Sequence, residues 1–364
     1  MIATLPMTPK GSSAPLGYWL TPVIADILRE RSSDSLAVCI GTIGAKSPSV
    51  ADILLFREEL DFVGVRKAKV LTDGELVASL ERNVATILSR VESSDIVSEC
   101  YVCECGLLEI PIEQVRFLKP KTFHIENGKV FCVVCGGEAT TSTQSRFCMF
   151  FPESAFGKSP QIHPRSYSAE IRDLMGQIRR NGICVGKNRP TGFLYSERNL
   201  DVELVWQTMP YELIHQENDK RLVLVVSNHV LKQGLLAILL ARTLGFNGEI
   251  HLIVTPYINH PGTVGKWCLE KLAELGHDEL TARFMLANSL GWSLKDATLS
   301  TVVSEVGYRR LRLFARRVAE SRRSTDNPEK LVEDINHQTL TLGLKHVFNP
   351  DKFDYARLSG LYSS

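Results

Sequence analysis

The sequence predicts an α/β fold: a doubly wound parallel sheet, interrupted once and followed by helices. Three observations carry that prediction. Short apolar runs, each followed by a turn-rich loop and an amphipathic stretch, occupy the first ninety residues and return between residues 222 and 254. Closely spaced cysteines break this pattern mid-chain. From Lys266 onward the chain reads almost wholly helical, over 267–275, 278–290 and 298–323, until Asp326-Asn327-Pro328 breaks the last helix.

Ile2 to Leu5 is a buried strand, and Pro6 to Ser13 a loop of turn formers. A helical pattern runs from Pro15 to Arg31, with Leu16, Leu20, Val23, Ile24, Ile27 and Leu28 on one side. Leu36 to Ile40 has strand length and continuous apolarity, and Gly41 to Ser49 is a second loop. Val50 to Leu60 and Leu76 to Val91 read as helices. Strand, loop, helix and strand in this order argue a parallel sheet with crossover helices. Later, Ile171 to Arg180 reads as a helix and Arg189 to Asn199 as a loop. Leu222 to Val226 is a strand, His229 to Leu244 a helix ended by Gly245, and Ile250 to Val254 a strand.

Composition sets outer limits. Hydrophobic content of 44% and charge of 23% are those of a globular chain, and a net charge of +1 makes no broad case for nucleic acid or membrane. Apolar stretches fall short of the ~20 residues a membrane span needs. The N-terminus shows no basic stretch and long apolar core of signal-peptide type. Nine cysteines, an odd number, point to reduced thiols in a cytoplasmic protein rather than to a disulfide framework.

Cys103-Glu104-Cys105 and Cys132-Val133-Val134-Cys135 lie on tight-turn spacings inside the interruption. Thiolates so spaced hold a tetrahedral zinc in a small knuckle, with Cys103, Cys105, Cys132 and Cys135 as ligands. Cys100 is an alternative to Cys105, because Cys100-Tyr101-Val102-Cys103 has the commoner spacing. Such a site is closed, so the zinc is structural. The other reading is buried cysteines without a metal.

Ile2 to Pro6 with Lys10 to Tyr18, Leu36 to Thr42, the cysteine block, Val202 to Trp206, Val225 to Gly245, Tyr257 to Cys268 and Leu275 to Leu286 follow one another in a telling order. Over roughly residues 1–320 that order resembles the catalytic domain of methionyl-tRNA synthetase, a class I aminoacyl-tRNA synthetase. The resemblance implies a Rossmann-type catalytic sheet in two halves, residues 1–94 and 147–265, around a zinc-knuckle insertion at 95–146, with a helical region at 266–364. It implies ATP and an amino-acid-like carboxylate as ligands. The family's two HIGH histidines contact the triphosphate; Pro15 and Tyr18 stand in their places, and Gly17 remains. Of the KMSKS lysines one candidate survives, Lys266 within Val264 to Cys268. Ile43 stands where an acid pairs with the substrate's amino group, and Asn228 and Gln233 replace an acid and a histidine near the nucleotide. Only a short tail follows the last catalytic helix, in place of an anticodon-reading bundle.

The candidate site therefore comprises Tyr18, His229 and Lys266 for chemistry, Ser12, Ser13, Gly17 and Asn228 for the nucleotide, and Leu5 and Trp206 for the substrate. Each also has a plainer role: Lys266 as a solvated loop lysine, His229 and His260 as packed or capping residues, Trp206 as core. The helix carrying Arg309, Arg310, Arg312, Arg316, Arg317, Arg322 and Arg323 either tracks a tRNA acceptor end or is a solvated face. Two functions follow. One is a repurposed ATP-dependent ligase that activates or transfers an amino-acid-like carboxylate in a biosynthetic pathway rather than charging tRNA. The other is a catalytically inactive relative that binds a nucleotide, metabolite, tRNA or protein.

Overall fold

The computed structural model describes residues 1–9, 14–32, 34–43, 48–105, 108–112, 123–133, 135–186, 193–256, 258–259, 268–274, 286 and 297–298. The first part alternates β1 (Ile2–Thr4), α1 (Leu20–Ser32), β2 (Leu36–Ile40), α2 (Val50–Phe62), β3 (Lys69–Thr72) and α3 (Asp73–Arg90). An antiparallel region follows, with β4 (Glu92–Val102), β5 (Glu109–Pro111), β6 (Phe123–Glu126), β7 (Lys129–Cys132) and β8 (Thr140–Phe150). Next come β9 (Gln161–His163), α4 (Ser168–Asn181), β10 (Ile183–Cys184), β11 (Phe193–Tyr195) and β12 (Arg198–Leu200). The second part holds α5 (Val202–Trp206), α6 (Met209–Glu217), β13 (Arg221–Ser227), α7 (Leu231–Thr243) and β14 (Glu249–Thr255). Short pieces close the described chain: β15 (Ile258–Asn259), α8 (Leu269–Glu274) and β16 (Ala297–Thr298).

Six parallel strands form one sheet in the order β3-β2-β1-β13-β14-β9. Successive strand residues split between its two faces. Ile2, Val38, Val223 and Val225 share a core with Ile24 and Ile27 of α1 and Phe56 and Leu60 of α2. Ala3, Cys39, Leu224 and Leu252 share the other with Leu80 of α3, Leu213 of α6 and Leu235 of α7. Helices thus cover both faces, as the runs of consecutive buried strand residues require. Burial of each such Val, Leu, Ile or Phe side chain contributes roughly 1.5–3 kcal/mol. The order reverses between β1 and β13, opening a crevice at their C-terminal ends.

The region read as a compact insertion is instead built on a long arm. β4 and β8 pair residue for residue from Glu92–Phe150 to Val102–Thr140, an antiparallel ribbon roughly 35 Å long at the rise of a strand. Serines and threonines on both faces hide it from a period-2 hydrophobic search. Arg189 to Asn199, expected as a loop, contains the β11–β12 hairpin over its described part. Ser196 and Glu197 form its turn at φ 44° and 66°, a left-handed pair normally announced by Asn-Gly, so the sequence gives no cue. Ala297 and Thr298, placed at the edge of a predicted helix, pair in parallel with Ile258 and Asn259; 299–323 lies outside the described residues. Cys148 and Cys184, cross-strand neighbours on β8 and β10, are joined as a disulfide, against the expectation of reduced thiols. No helix among the described residues is long and apolar enough to cross a membrane.

His163 of β9 and His251 of β14 stack at 5.7 Å, with 3.5 Å between Nε2 and Nδ1, and both are buried. Burial above all, then the neighbouring His251 charge, pushes the His163 imidazole down to about 4; burial also lowers His251, against the pull of Glu249. The unfolded chain binds these protons near the ordinary pKa of about 6.5. Stability is therefore complete above that pH and is lost as pH falls from about 6.5 towards 4, by up to about 1.4 kcal/mol per pH unit for one proton. Urea midpoints measured across this window should fall steeply in the native chain and less so in His163→Gln.

Candidate functional site

A cavity of about 280 Å³ lies in the crevice where the strand order reverses. Leu5 to Thr8, following β1, form one wall, and Val225 to Ser227 at the end of β13 form the floor. Gly17 and Tyr18 close it on the side of the turn before α1, and His229 and Gln233 on the side of α7. The fourth wall is α5, whose Glu203, Trp206 and Gln207 are spaced i, i+3 and i+4 and so project from one face. Among the described lining residues Glu203 is the sole carboxylate, and no lysine or arginine is present.

Trp206 is fixed from behind. Its Nε1 donates to Asp73 Oδ2 at 2.7 Å. Asp73 is fully buried and also accepts from Thr42 N at 2.8 Å, from Ile43 N at 2.9 Å and from the Thr42 hydroxyl. It opens α3, where the helix dipole favours an anion, behind a capping box of Thr72 and Glu75. Gly41 makes room for the indole: a Cβ there would lie 2.6 Å from Trp206 Cε2.

Tyr18, His229 and Asn228 are also engaged. Tyr18 donates its hydroxyl to Thr8 O at 2.8 Å and packs edge-on against Trp19 and Phe56. Burial, with the Glu59 charge adding to it, pushes its phenol far up, so what the hydroxyl offers is an acceptor lone pair rather than a proton. His229 Nδ1 lies 2.7 Å from Ser227 Oγ, a pairing that orients the ring at the cavity edge. Asn228 is buried and donates to Tyr167 Oη at 3.3 Å; it stands beneath the floor and is not part of the lining.

The structure thus brings Leu5, Gly17, Tyr18, Trp206 and His229 to one cavity and leaves Asn228 behind it. Ser12, Ser13 and Lys266 lie outside the described residues, as do His260 and the Arg309–Arg323 segment. Asp73, Glu203, Gln207 and Ser227 escaped the sequence reading. For Glu203 and Gln207 a signal existed, since Val202 to Gln207 read as one helical turn puts both beside Trp206.

Far from the cavity, at the end of the arm, Cys103, Cys105, Cys132 and Cys135 place their sulfurs within 4.8 Å of one another. Cys103 and Cys105 sulfurs are 2.9 Å apart, and those of Cys105 and Cys132 3.7 Å; four thiolates about a zinc at 2.3 Å stand roughly 3.8 Å apart. Leu108 N donates to Cys103 Sγ at 3.2 Å, and Gly136, at φ 71°, turns the second pair through a 2.8 Å bond to Cys132 O. Cys100 instead lies within β4 beside Ser98 and outside the cluster. The donor set fits a metal ion.

Comparison with solved structures identifies the fold. Methionyl-tRNA synthetase of Mycobacterium tuberculosis bound by methionyl-adenylate aligns with a TM-score of 0.57 and 12% identity, over 84% of this chain and 67% of that one. A second structure of that enzyme in complex with methionyl-adenylate gives 0.57 and 10%, again over 84% and 67%. Its apo form gives 0.55 and 10%, over 85% and 65%. No protein-family model matches the sequence, and no curated protein does. The chain therefore has the fold of a methionyl-tRNA synthetase catalytic body, at an identity where the likeness is one of fold.

Asp73→Ala would strand the four donors that now share one carboxylate. At about 1–3 kcal/mol for each buried group left unpaired, the loss should be on the order of 3 kcal/mol or more in urea unfolding, with a change in tryptophan emission. Gly41→Ala should cost less, about 1–3 kcal/mol, the range for overpacking a close contact.

Proposed function

We propose that this chain is a diverged synthetase-like protein, a repurposed ligase that activates an amino-acid-like carboxylate with ATP, or transfers it, in a cytoplasmic biosynthetic pathway rather than charging tRNA in translation. One observation carries the reading: the cavity occupies the switch point of a methionyl-tRNA synthetase fold, and two neighbours of that fold hold methionyl-adenylate. In the activation step the substrate carboxylate attacks the α-phosphorus of ATP and pyrophosphate leaves. Leu5 and Trp206 wall the substrate, and Gly17 lets the nucleotide approach the backbone. His229, steadied by Ser227, supplies a polar contact. Ser12, Ser13 and Lys266 complete the phosphate side within this proposal, and Asn228 supports the floor.

A second reading has its own support. The described walls carry no cation, whereas a triphosphate calls for several. A catalytically inactive relative that binds a metabolite, nucleotide, tRNA or protein fits such walls. The Arg309–Arg323 segment would serve a tRNA acceptor end in either case.

Amino-acid-dependent exchange of pyrophosphate into ATP, run over a panel of amino acids, separates the two. The ligase reading expects exchange with at least one of them and a loss of tenfold or more in Lys266→Ala. No exchange, together with no nucleotide binding by calorimetry, leaves the binding protein.

The four thiolates belong to the same proposal as a structural zinc site, with Cys103, Cys105, Cys132 and Cys135 as ligands. Mass spectrometry of the purified chain should find about one zinc per molecule, since such sites carry four protein ligands per ion. Cys132→Ser should lose the metal and melt lower, whereas Cys100→Ser should keep it; zinc loss in Cys100→Ser would overturn the ligand set.

A further inference from the structure

Ser227 is the last residue of β13, at the C-terminal edge of the sheet, and the chain turns there into 228–230 and then α7. A serine at such a turn ordinarily caps the helix that follows with its hydroxyl. Ser227 gives no cap bond. Its Oγ lies 2.7 Å from His229 Nδ1, and both residues line the cavity, neither of them fully buried. In the tautomer that carries its proton on Nε2, the imidazole accepts the serine proton at Nδ1. A hydroxyl within hydrogen-bond reach of an imidazole is the pairing that turns a weak nucleophile into a reactive one. The strand-to-helix turn suits this use, since a turn of that kind raises a serine above the end of a parallel sheet. Gln233, four residues after His229, lines the same cavity, and an amide N–H there can steady the charge that develops on a carbonyl oxygen under attack. Leu5, Trp206 and Val230 supply apolar wall for a short acyl chain.

We propose that Ser227 carries an acyl group: with His229 as its base and Gln233 as oxyanion donor, it takes the group from a small activated ester or anhydride and passes it to an amine, or to water where no amine is present. His229 Nδ1 removes the proton from Ser227 Oγ as that oxygen attacks the acyl carbonyl carbon. The bond to the leaving oxygen breaks, and that oxygen departs with the bonding pair and takes up the proton from His229. The product is an ester on Ser227. The acceptor then attacks the same carbonyl carbon and gives its proton to Nδ1, and the ester bond opens as Oγ takes that proton back. This deepens the transfer branch of the function proposed above. It rests on that reading for the cavity as the ligand site, and not for the use of ATP. Under the ligase reading the donor is an acyl adenylate made in the same cavity. The role goes beyond a polar contact from His229, since Ser227 itself bonds to the substrate.

The test incubates the full-length protein with 4-nitrophenyl acetate and follows release of 4-nitrophenolate, the intact mass and the labelled peptide. The expected result is a burst of about one 4-nitrophenolate per chain, the signature of an accumulating acyl-enzyme, with an acetyl group on Ser227. Ser227→Ala should lose both the burst and that label. His229→Gln should slow acylation of Ser227 about a hundredfold or more, as loss of a general base does, and remove the pH dependence of the native rate. Gln233→Leu should slow it about tenfold or more, through loss of an oxyanion donor. Thermal melts check that the variants remain folded, and the site of the label in the native chain is read without any variant. The inference fails if Ser227 of the native chain is not acetylated, wherever else label is found. It also fails if Ser227 in His229→Gln is acetylated as fast as in the native chain, which would mark the 2.7 Å bond as structural. Pyrophosphate exchange reads the parent proposal independently: exchange without Ser227 acylation sinks this inference alone, and Ser227 acylation without exchange sinks activation with ATP alone.

Discussion

The carboxylate of Asp73 accepts from the loop after β2, through Thr42 and Ile43, and from the indole of Trp206 on α5, 133 residues further along the chain. These contacts span the two parts of the sequence that flank the arm, and they meet directly behind the cavity. An ionised carboxylate is stable in a fully buried position only when its oxygens are saturated with donors. Here the donors are the Thr42 and Ile43 amides, the Thr42 hydroxyl and the Trp206 indole, and the dipole of α3, which Asp73 opens, favours the charge. Remove the acid and the loop, the helix start and the indole each lose their reference. The setting of the α5 wall, with Glu203 one turn before Trp206 and Gln207 next to it, is held by that anchor.

Gly41 shows how tightly the anchor constrains sequence. The indole lies so close to the backbone at the end of β2 that a methyl group would overlap it. The residue is needed for this approach and not for a turn. A sequence reading sees only a glycine in a loop after a strand, which is the commonest and least specific place for one.

The parts of the fold legible in the sequence are those held by hydrophobic burial. Leu36 to Ile40, Leu222 to Val226 and Ile250 to Val254 announce themselves because strands covered on both faces must be apolar throughout. The thiolate cluster was legible because metal ligands need fixed spacing. The arm and the β11–β12 hairpin were not. Their stability comes from ladder hydrogen bonds, a Ser-Glu turn in left-handed conformation and long-range polar contacts, none of which leaves a local pattern. Tyr18 illustrates the limit at the site itself. Its position beside the cavity could be anticipated from the loop after β1, but the bond from its hydroxyl to Thr8 O could not, and that bond determines what chemistry the side chain has left.

With a metal held by its four cysteines, as proposed above, the arm would depend on that ion in a way the sheet does not. Among the described residues its tip has a core of Cys103, Leu108, Ile110, Phe123, Val130 and Cys132, with Tyr101 and Ala139 against it, and an apolar cluster of that size does not by itself offset the conformational entropy of ordering the chain around it. Four thiolates with an ion among them can, since binding free energy at such a site is folding free energy. The arm leaves the body directly from α3, whose last residue, Arg90, donates to Thr243 O at 2.9 Å. One helix therefore begins at the carboxylate that holds Trp206 and ends at the base of the ribbon that carries the cysteines. With a rise of 1.5 Å per residue its 18 residues set these two points about 27 Å apart. The spacing is rigid because Leu76, Leu80, Val84 and Ile87 bury one face of α3 against the sheet. The base of the arm is thus set relative to the Asp73 anchor by the geometry of α3.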